Sequence, residues 1–280
     1  MSASAFSRRG FLGASAATLA LPRLAPAATT ANDDGAFRLG VASDSFRKFS
    51  REAAIDMLRD LNVDFVNIKD FHLRMDSTPE QIVGARREFE NAGIAIEGGG
   101  NISFQKDDAD DIRHKFEYAK LAGMPLIVCA PTHETLPRLE KYVKEYDIKL
   151  ALHNHGPEDK HFPTPQSVLD AVKNMDPRCG LCMDIGHTAR TGVDVVEWIA
   201  KAGPRLLSMH AKDLTDFTSR GSQVAVGDGK MPIPAIFKQL HKMNYRGGVM
   251  LEYEIHENDP MPGMQKSFAY MRGVLAGLRG

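Results

Sequence analysis

A closed (β/α)₈ barrel in a single domain is the fold this sequence predicts. Three observations point to it: eight short apolar runs, longer segments of helical period between them, and about 250 residues in which to close the sheet. The runs fall at 37–43 (FRLGVAS), 64–69 (DFVNIK), 94–99 (IAIEGG), 125–130 (PLIVCA), 148–155 (IKLALHNH), 180–187 (GLCMDIGH), 205–213 (RLLSMHAKD) and 247–254 (GGVMLEYE). Between the first four lie the amphipathic stretches 51–62, 79–93 and 108–123, each ending in the asparagine or glycine that stops a helix before the next strand. Strands alternating with helices at this spacing run parallel. An open doubly wound sheet is the runner-up, and no G-x-G-x-x-G follows the first strand to support it.

The barrel is expected over 37–280. Residues 1–27 read as a leader to be removed, with paired arginines, a short apolar run and an A-x-A site at Ala25 to Ala27. The core SRRGFL, Ser7 to Leu12, resembles a twin-arginine export signal, which implies engagement of the twin-arginine machinery, passage to the periplasm in the folded state and no stable membrane insertion. Residues 28–36 read as a linker. The formal net charge is -1 and no basic stripe recurs, so a nucleic-acid partner is not implied. Of three cysteines, Cys179 and Cys182 form CGLC, read as core packing in preference to a redox pair or half a zinc site.

Side chains alternate along a strand, and in this fold the C-terminal strand ends build the active site. One parity is apolar throughout: Val66 and Ile68, Ile94 and Ile96, Leu150 and Leu152, Leu181 and Met183, Leu207 and Met209, Val249 and Leu251. The other turns ionisable toward the C-terminal end, giving Lys69, Glu97, His153 and His155, Asp184, His210 and Lys212, Glu252 and Glu254. A single strand-end histidine usually closes a hydrogen bond, and a single aspartate usually caps a helix. His153, Asp184, His210 and Glu252 occupy consecutive strands on one parity. Two imidazoles and two carboxylates converging in this way suit one divalent cation: Mn²⁺ foremost, with Co²⁺, Zn²⁺, Mg²⁺ or Fe²⁺ admissible.

The motifs MDIGH (183–187), SMHAKD (208–213), VGDGKMPI (226–233) and VMLEYE (249–254) resemble the xylose-isomerase-like TIM barrel superfamily of sugar phosphate isomerases and epimerases. The resemblance spans nearly the whole barrel. It implies that Asp184, His210 and Glu252 ligate the metal and that His187 contacts a substrate oxygen. It also implies that His153 stands where the epimerases carry a glutamate. KDFH (69–72) resembles a segment of exported members of the superfamily, with Lys69 a candidate proton carrier.

The expected activity is divalent-metal-dependent isomerisation or epimerisation of a non-phosphorylated sugar or keto-sugar through a metal-stabilised enediolate. Glu252, Lys69 and His187 are the catalytic candidates. His155, Glu97, Lys212, Glu254 and His72 are the substrate-binding candidates. A keto-sugar lyase or hydratase using the same site is the alternative within enzymes, and a non-catalytic sugar-binding barrel the alternative outside them. The expected partner is a small carbohydrate, and a homo-oligomer is compatible with the sequence.

Overall fold

The computed structural model describes Met1 and residues 37–278. The leader expected over 1–27, Met1 apart, and the linker over 28–36 lie outside the described residues. In chain order the elements are β1 (Arg38–Ala42), α1 (Arg51–Asp60), β2 (Phe65–Ile68), α2 (Pro79–Asn91), β3 (Ala95–Phe104), α3 (Ala109–Leu121), β4 (Leu126–Pro131), α4 (Leu136–Tyr146), β5 (Lys149–His153), α5 (Pro165–Val172), β6 (Cys179–Asp184), α6 (Ile185–Arg190), α7 (Val195–Ala202), β7 (Leu206–Ala211), β8 (Asp213–Leu214), β9 (Gln223–Val224), α8 (Ile233–Lys242), β10 (Gly248–Leu251) and α9 (Met261–Gly277). Short 3₁₀ turns cover Ser43–Phe46 and Gly203–Arg205. The eight long strands close in the order β1-β10-β7-β6-β5-β4-β3-β2, every pair parallel, while β8 and β9 form a small antiparallel hairpin. All eight predicted runs are barrel strands.

Local chemistry explains the element boundaries. Thr78 and Thr164 close capping boxes with Gln81 and Ser167, and Asp108, Asp184 and Asp194 cap α3, α6 and α7. The chain leaves its helices through left-handed residues, Asn62 (φ 52°), Gly93 (φ 78°), Gly123 (φ 71°), Asp147 (φ 53°) and Asn244 (φ 58°). The main core lies between strands and helices. It includes Val66, Ile68, Leu150, Leu152, Leu181, Met183, Met209, Val249 and Leu251, all buried. A second, small cluster of Leu126, Val128, Ala151 and Cys182 fills the barrel's interior. Cys129, Cys179 and Cys182 are buried and unbridged, so the CGLC pair packs as read from the sequence.

Two of the barrel's three register shifts alter the expected alternation; the third, between Gly99 and Ile102, lies past the predicted end of its strand. The register shifts between Leu181 and Cys182, whose partners on β7 are Leu206 and Ser208. Leu207 is the extra residue. It packs on the interior cluster while Leu206 joins the helix-facing core, reversing the sequence assignment of these two leucines. A second shift pairs Val66 with Ile96 and Asn67 with Gly98, leaving Glu97 as the extra residue of β3. That strand then runs on to Phe104, beyond its predicted end at 99.

Candidate active site

At the C-terminal mouth, four donors meet as the sequence predicts. His153 ends β5, Asp184 ends β6, His210 lies within β7, and Glu252 follows β10 directly. Their ligand atoms all lie within 4.8 Å of one another, and all four residues are buried. His153 Nε2 is 3.1 Å from His210 Nδ1 and 3.7 Å from Asp184 Oδ2, and His210 Nδ1 is 3.3 Å from Glu252 Oε1.

The residues fit a divalent cation. Bonds of about 2.0–2.2 Å at tetrahedral or octahedral angles set donors roughly 3.0–3.5 Å apart, close to the separations found. Asp184 Oδ2 is buried and turned to the cluster, with Lys212 Nζ 3.0 Å away but not aligned as a hydrogen-bond donor. The two ring nitrogens 3.1 Å apart cannot both present bare lone pairs to each other, so either a proton or a cation lies between them. With a cation, the outer nitrogen of His153 carries the hydrogen. Nδ1 then donates to His155 Nδ1 at 3.3 Å, the supporting bond expected of a ligand histidine.

Two lysines hold the carboxylates. Lys212 Nζ lies 2.9 Å from Glu252 Oε2, 2.9 Å from Glu254 Oε2 and 3.0 Å from Asp184 Oδ2. Lys69 Nζ lies 3.2 Å from Glu252 Oε1. Gly186 makes room for the Lys212 stem, since a Cβ there would stand 2.7 Å from its Cγ and Cδ. Burial alone would raise the Glu252 carboxyl, but His210, Lys212 and Lys69 hold it well below the usual carboxylate range. Burial likewise opposes the charged form of Lys212, yet Asp184, Glu252 and Glu254 keep that ammonium protonated. Burial would lower His210, but Glu252 pushes it up to about 10. His153 and His155 are lowered by burial and stay neutral.

Three of the donors, His153, His210 and Glu252, floor a cavity of about 460 Å³ whose wall carries most of the remaining candidates: Lys69, His155, His187 and Glu254. Lys212 lies behind the cluster, lining a second cavity of about 440 Å³ that shares His155, His187 and Glu254 with the first. Asp184 also serves the fold, since its Oδ1 accepts from His187 N at 2.7 Å as the N-cap of α6.

Two candidates are not brought to this mouth. Glu97, the bulge residue, sits at the opposite mouth against Arg38 (2.7 Å), where both line a separate cavity of about 840 Å³. His72 is buried below the site with Nδ1 3.0 Å from Ser43 Oγ, supporting the turn after β1 rather than facing the cavity. The mouth gathers residues the sequence reading missed as well. Asn101 and Ser103 arrive because β3 continues past its bulge, and Asp44 comes from the turn after β1. Burial raises the Asp44 carboxyl, and the charges of Glu252 and Glu254 add to the rise against Lys69. Its signal was an acid two residues past the first strand. The conspicuous Asp213 of SMHAKD proves structural: its carboxylate accepts from the backbone of Leu214, Gly227, Gly229 and Met231, tying VGDGKMPI to the barrel rim.

Among curated proteins, the chain is similar to an inosose dehydratase of Geobacillus kaustophilus, 27% identical over 152 residues that make up 49% of this chain and 48% of that protein. It spans less than half the length of the curated relatives it matches. Among solved structures, the IOLI protein with a bound zinc atom superposes with a TM-score of 0.73 at 17% identity, over 86% of this chain and 99% of that one. An L-ribulose 3-epimerase superposes with a TM-score of 0.71 at 16% identity, over 87% and 96%. Both likenesses lie in the fold. The family model described as "Xylose isomerase-like TIM barrel" matches residues 55–274, from α1 into α9, and the chain belongs to that family.

Proposed function

We propose that this protein is a divalent-metal-dependent isomerase or epimerase of a sugar or keto-sugar. The observation that carries the reading is the buried convergence of His153, Asp184, His210 and Glu252, three of which floor a cavity on the strands' C-terminal side. These four residues would hold the ion, which when bound supplies Lewis-acid stabilisation to negative charge developing on substrate oxygens. Mn²⁺ remains the first choice for this donor set, and the zinc of the IOLI protein supports a divalent ion of this class.

The protein's own groups divide the proton transfers. Barrel order sets β1 and β2 across the mouth from β5 and β6. Asp44 and Lys69 therefore face His155 and His187 over the cavity. An enediolate is planar, and epimerisation needs a proton acceptor on one face and a donor on the other. The Asp44 carboxylate, with its raised affinity for a proton, is suited to accept the proton from carbon, and the Nε2–H of neutral His155, whose Nδ1 is taken by His153, stands on the other face as the donor. Glu252 is pinned by two ammonium groups, which favours its role as ligand over its role as base. Lys69, His187 and Glu254 are left to bind and orient hydroxyls.

Elimination of water is the second reading. It starts with the same proton loss and ends with protonation of a departing β-hydroxyl. His153 in place of a second carboxylate favours it, and the inosose dehydratase relative is consistent with it. Incubation of the Mn²⁺-loaded protein with keto-sugars in D₂O separates the two. Deuterium on carbon in a sugar of unchanged formula indicates isomerase or epimerase, and loss of water indicates dehydratase. No exchange and no loss across the panel refutes both. We also propose export through the twin-arginine route on the strength of SRRGFL. Replacing Arg8 and Arg9 by lysine should then retain the protein in the cytoplasm on cell fractionation.

A further inference from the structure

The second cavity has a chemistry of its own. Beside the wall it shares with the first, it is lined by three arginines from separate parts of the chain: Arg47 after β1, Arg190 at the end of α6 and Arg220 in the hairpin between β8 and β9. The Arg190 side chain is 7% exposed, and its Nε is buried with no partner. An unpaired guanidinium N–H in such a place is costly unless something meets it. The rest of that guanidinium is engaged. Its Nη2 donates to Glu158, and its Nη1 lies 3.3 Å from His187 Nδ1. A guanidinium only donates, so His187 Nδ1 accepts and the neutral ring carries its hydrogen on Nε2, the nitrogen 4.0 Å from Asp184 Oδ2. Arg190 thus lines the second cavity with its Nη1 ordering His187, on the wall shared with the first, and with its Nε–H left without a partner.

The charges match one anion. Arg190 and Arg220 share a single carboxylate, Glu158, with Arg220 at 3.8 Å, so two positive charges face one negative and one remains. Arg47 is paired with Glu257 at 3.0 Å. The Glu254 carboxylate on the shared wall is taken by Lys212 at 2.9 Å, so the one positive charge left on the arginine pair suits a monoanion, and the planar fork of arginine suits a carboxylate.

We propose that the substrate is a sugar acid, with its reacting carbons over the His153, Asp184, His210 and Glu252 cluster and its carboxylate in the second cavity against Arg190 and Arg220. The proposal rests on the sugar-enzyme reading above and adds the charge of the substrate to it. In this arrangement Glu158 is the internal competitor for the two arginines.

Calorimetric binding to the full chain loaded with Mn²⁺ tests it. The probes are D-glucose, D-galactose and D-mannose, each with its uronate and its 6-phosphate. At least one uronate should bind about ten-fold or more tighter than its neutral sugar, as one charge-assisted hydrogen bond allows. Arg190→Gln should erase that preference and Arg220→Gln, at an exposed position, should reduce it several-fold, whereas Glu158→Gln should enlarge it. Opposite responses to Arg190→Gln and Glu158→Gln distinguish anion binding from loss of a structural ion pair. Should Arg190→Gln fail to fold, Arg220→Gln and Glu158→Gln still decide the matter. Equal affinity for neutral sugar and uronate, or a preference for the 6-phosphate, overturns the proposal while leaving the sugar-enzyme reading intact. Binding of none of the nine also overturns the proposal, and the keto-sugar incubation in D₂O then decides the sugar-enzyme reading separately.

Discussion

Lys212→Met removes the buried ammonium that faces Asp184, Glu252 and Glu254 at 3.0, 2.9 and 2.9 Å. The Lys212 side chain is 5% exposed, so solvent does little to screen these contacts. Methionine keeps the volume, leaving charge as the principal change. Removing one partner of a buried ion pair costs about 3–5 kcal/mol, chiefly by stranding the carboxylates. Glu252 retains Lys69 and His210, which places the loss toward the lower end. For a domain of this size about 3 kcal/mol corresponds to a fall in Tm of roughly 6–12 °C. Scanning calorimetry in EDTA should show that fall. Mn²⁺ should then stabilise the variant more than the wild type, because a divalent ion replaces the missing charge without displacing an ammonium. At a hundred-fold excess over Kd the ion contributes about 2.7 kcal/mol. A variant as stable as wild type in EDTA, or one gaining no more from Mn²⁺, would refute this account of the cluster.

Asp184 both caps α6 and offers Oδ2 to the cluster, so Asp184→Asn should keep the fold but weaken metal binding by at least ten-fold, whereas Asp184→Ala should also lose about 1 kcal/mol of cap stability; metal titration beside chemical denaturation separates the two. His210 holds its proton up to about 10, against about 6.5 in the unfolded chain, so metal must displace that proton and affinity should rise with pH from 7 to 10, by at most about ten-fold per unit. In EDTA the same group contributes stability fully below pH 6.5 that is lost as pH climbs toward 10, and a Tm series should show the decline shrink in His210→Gln. His155→Asn should slow deuterium exchange into sugar by about a hundred-fold or more while changing metal affinity little, as expected of a proton carrier outside the ligand set.

The fold was legible because periodicity and helix stops are local signals. All eight strands lie at the short apolar runs, and Asn62, Gly93 and Gly123 terminate helices as read. The donor quartet was legible for a similar reason: one parity on neighbouring strands is a property that sequence displays directly. What escaped depended on register and on distant chain segments. Nothing local announces that Glu97 is a bulge residue, so a carboxylate expected at the active mouth lies at the other one. His72 was read as facing substrate, but the turn after β2 buries it against Ser43. Asp44 and Arg190 reach the site from a 3₁₀ turn and a helix end, where no two-residue alternation exists to follow.

Metal content bears most directly on the central claim. Protein reconstituted with Mn²⁺, passed through a desalting column and analysed by mass spectrometry should carry about one divalent ion per chain, and His210→Ala, folded by circular dichroism, should carry none. Wild type that retains no ion, or His210→Ala that retains as much as wild type, would contradict the assignment of His153, Asp184, His210 and Glu252 as a metal site.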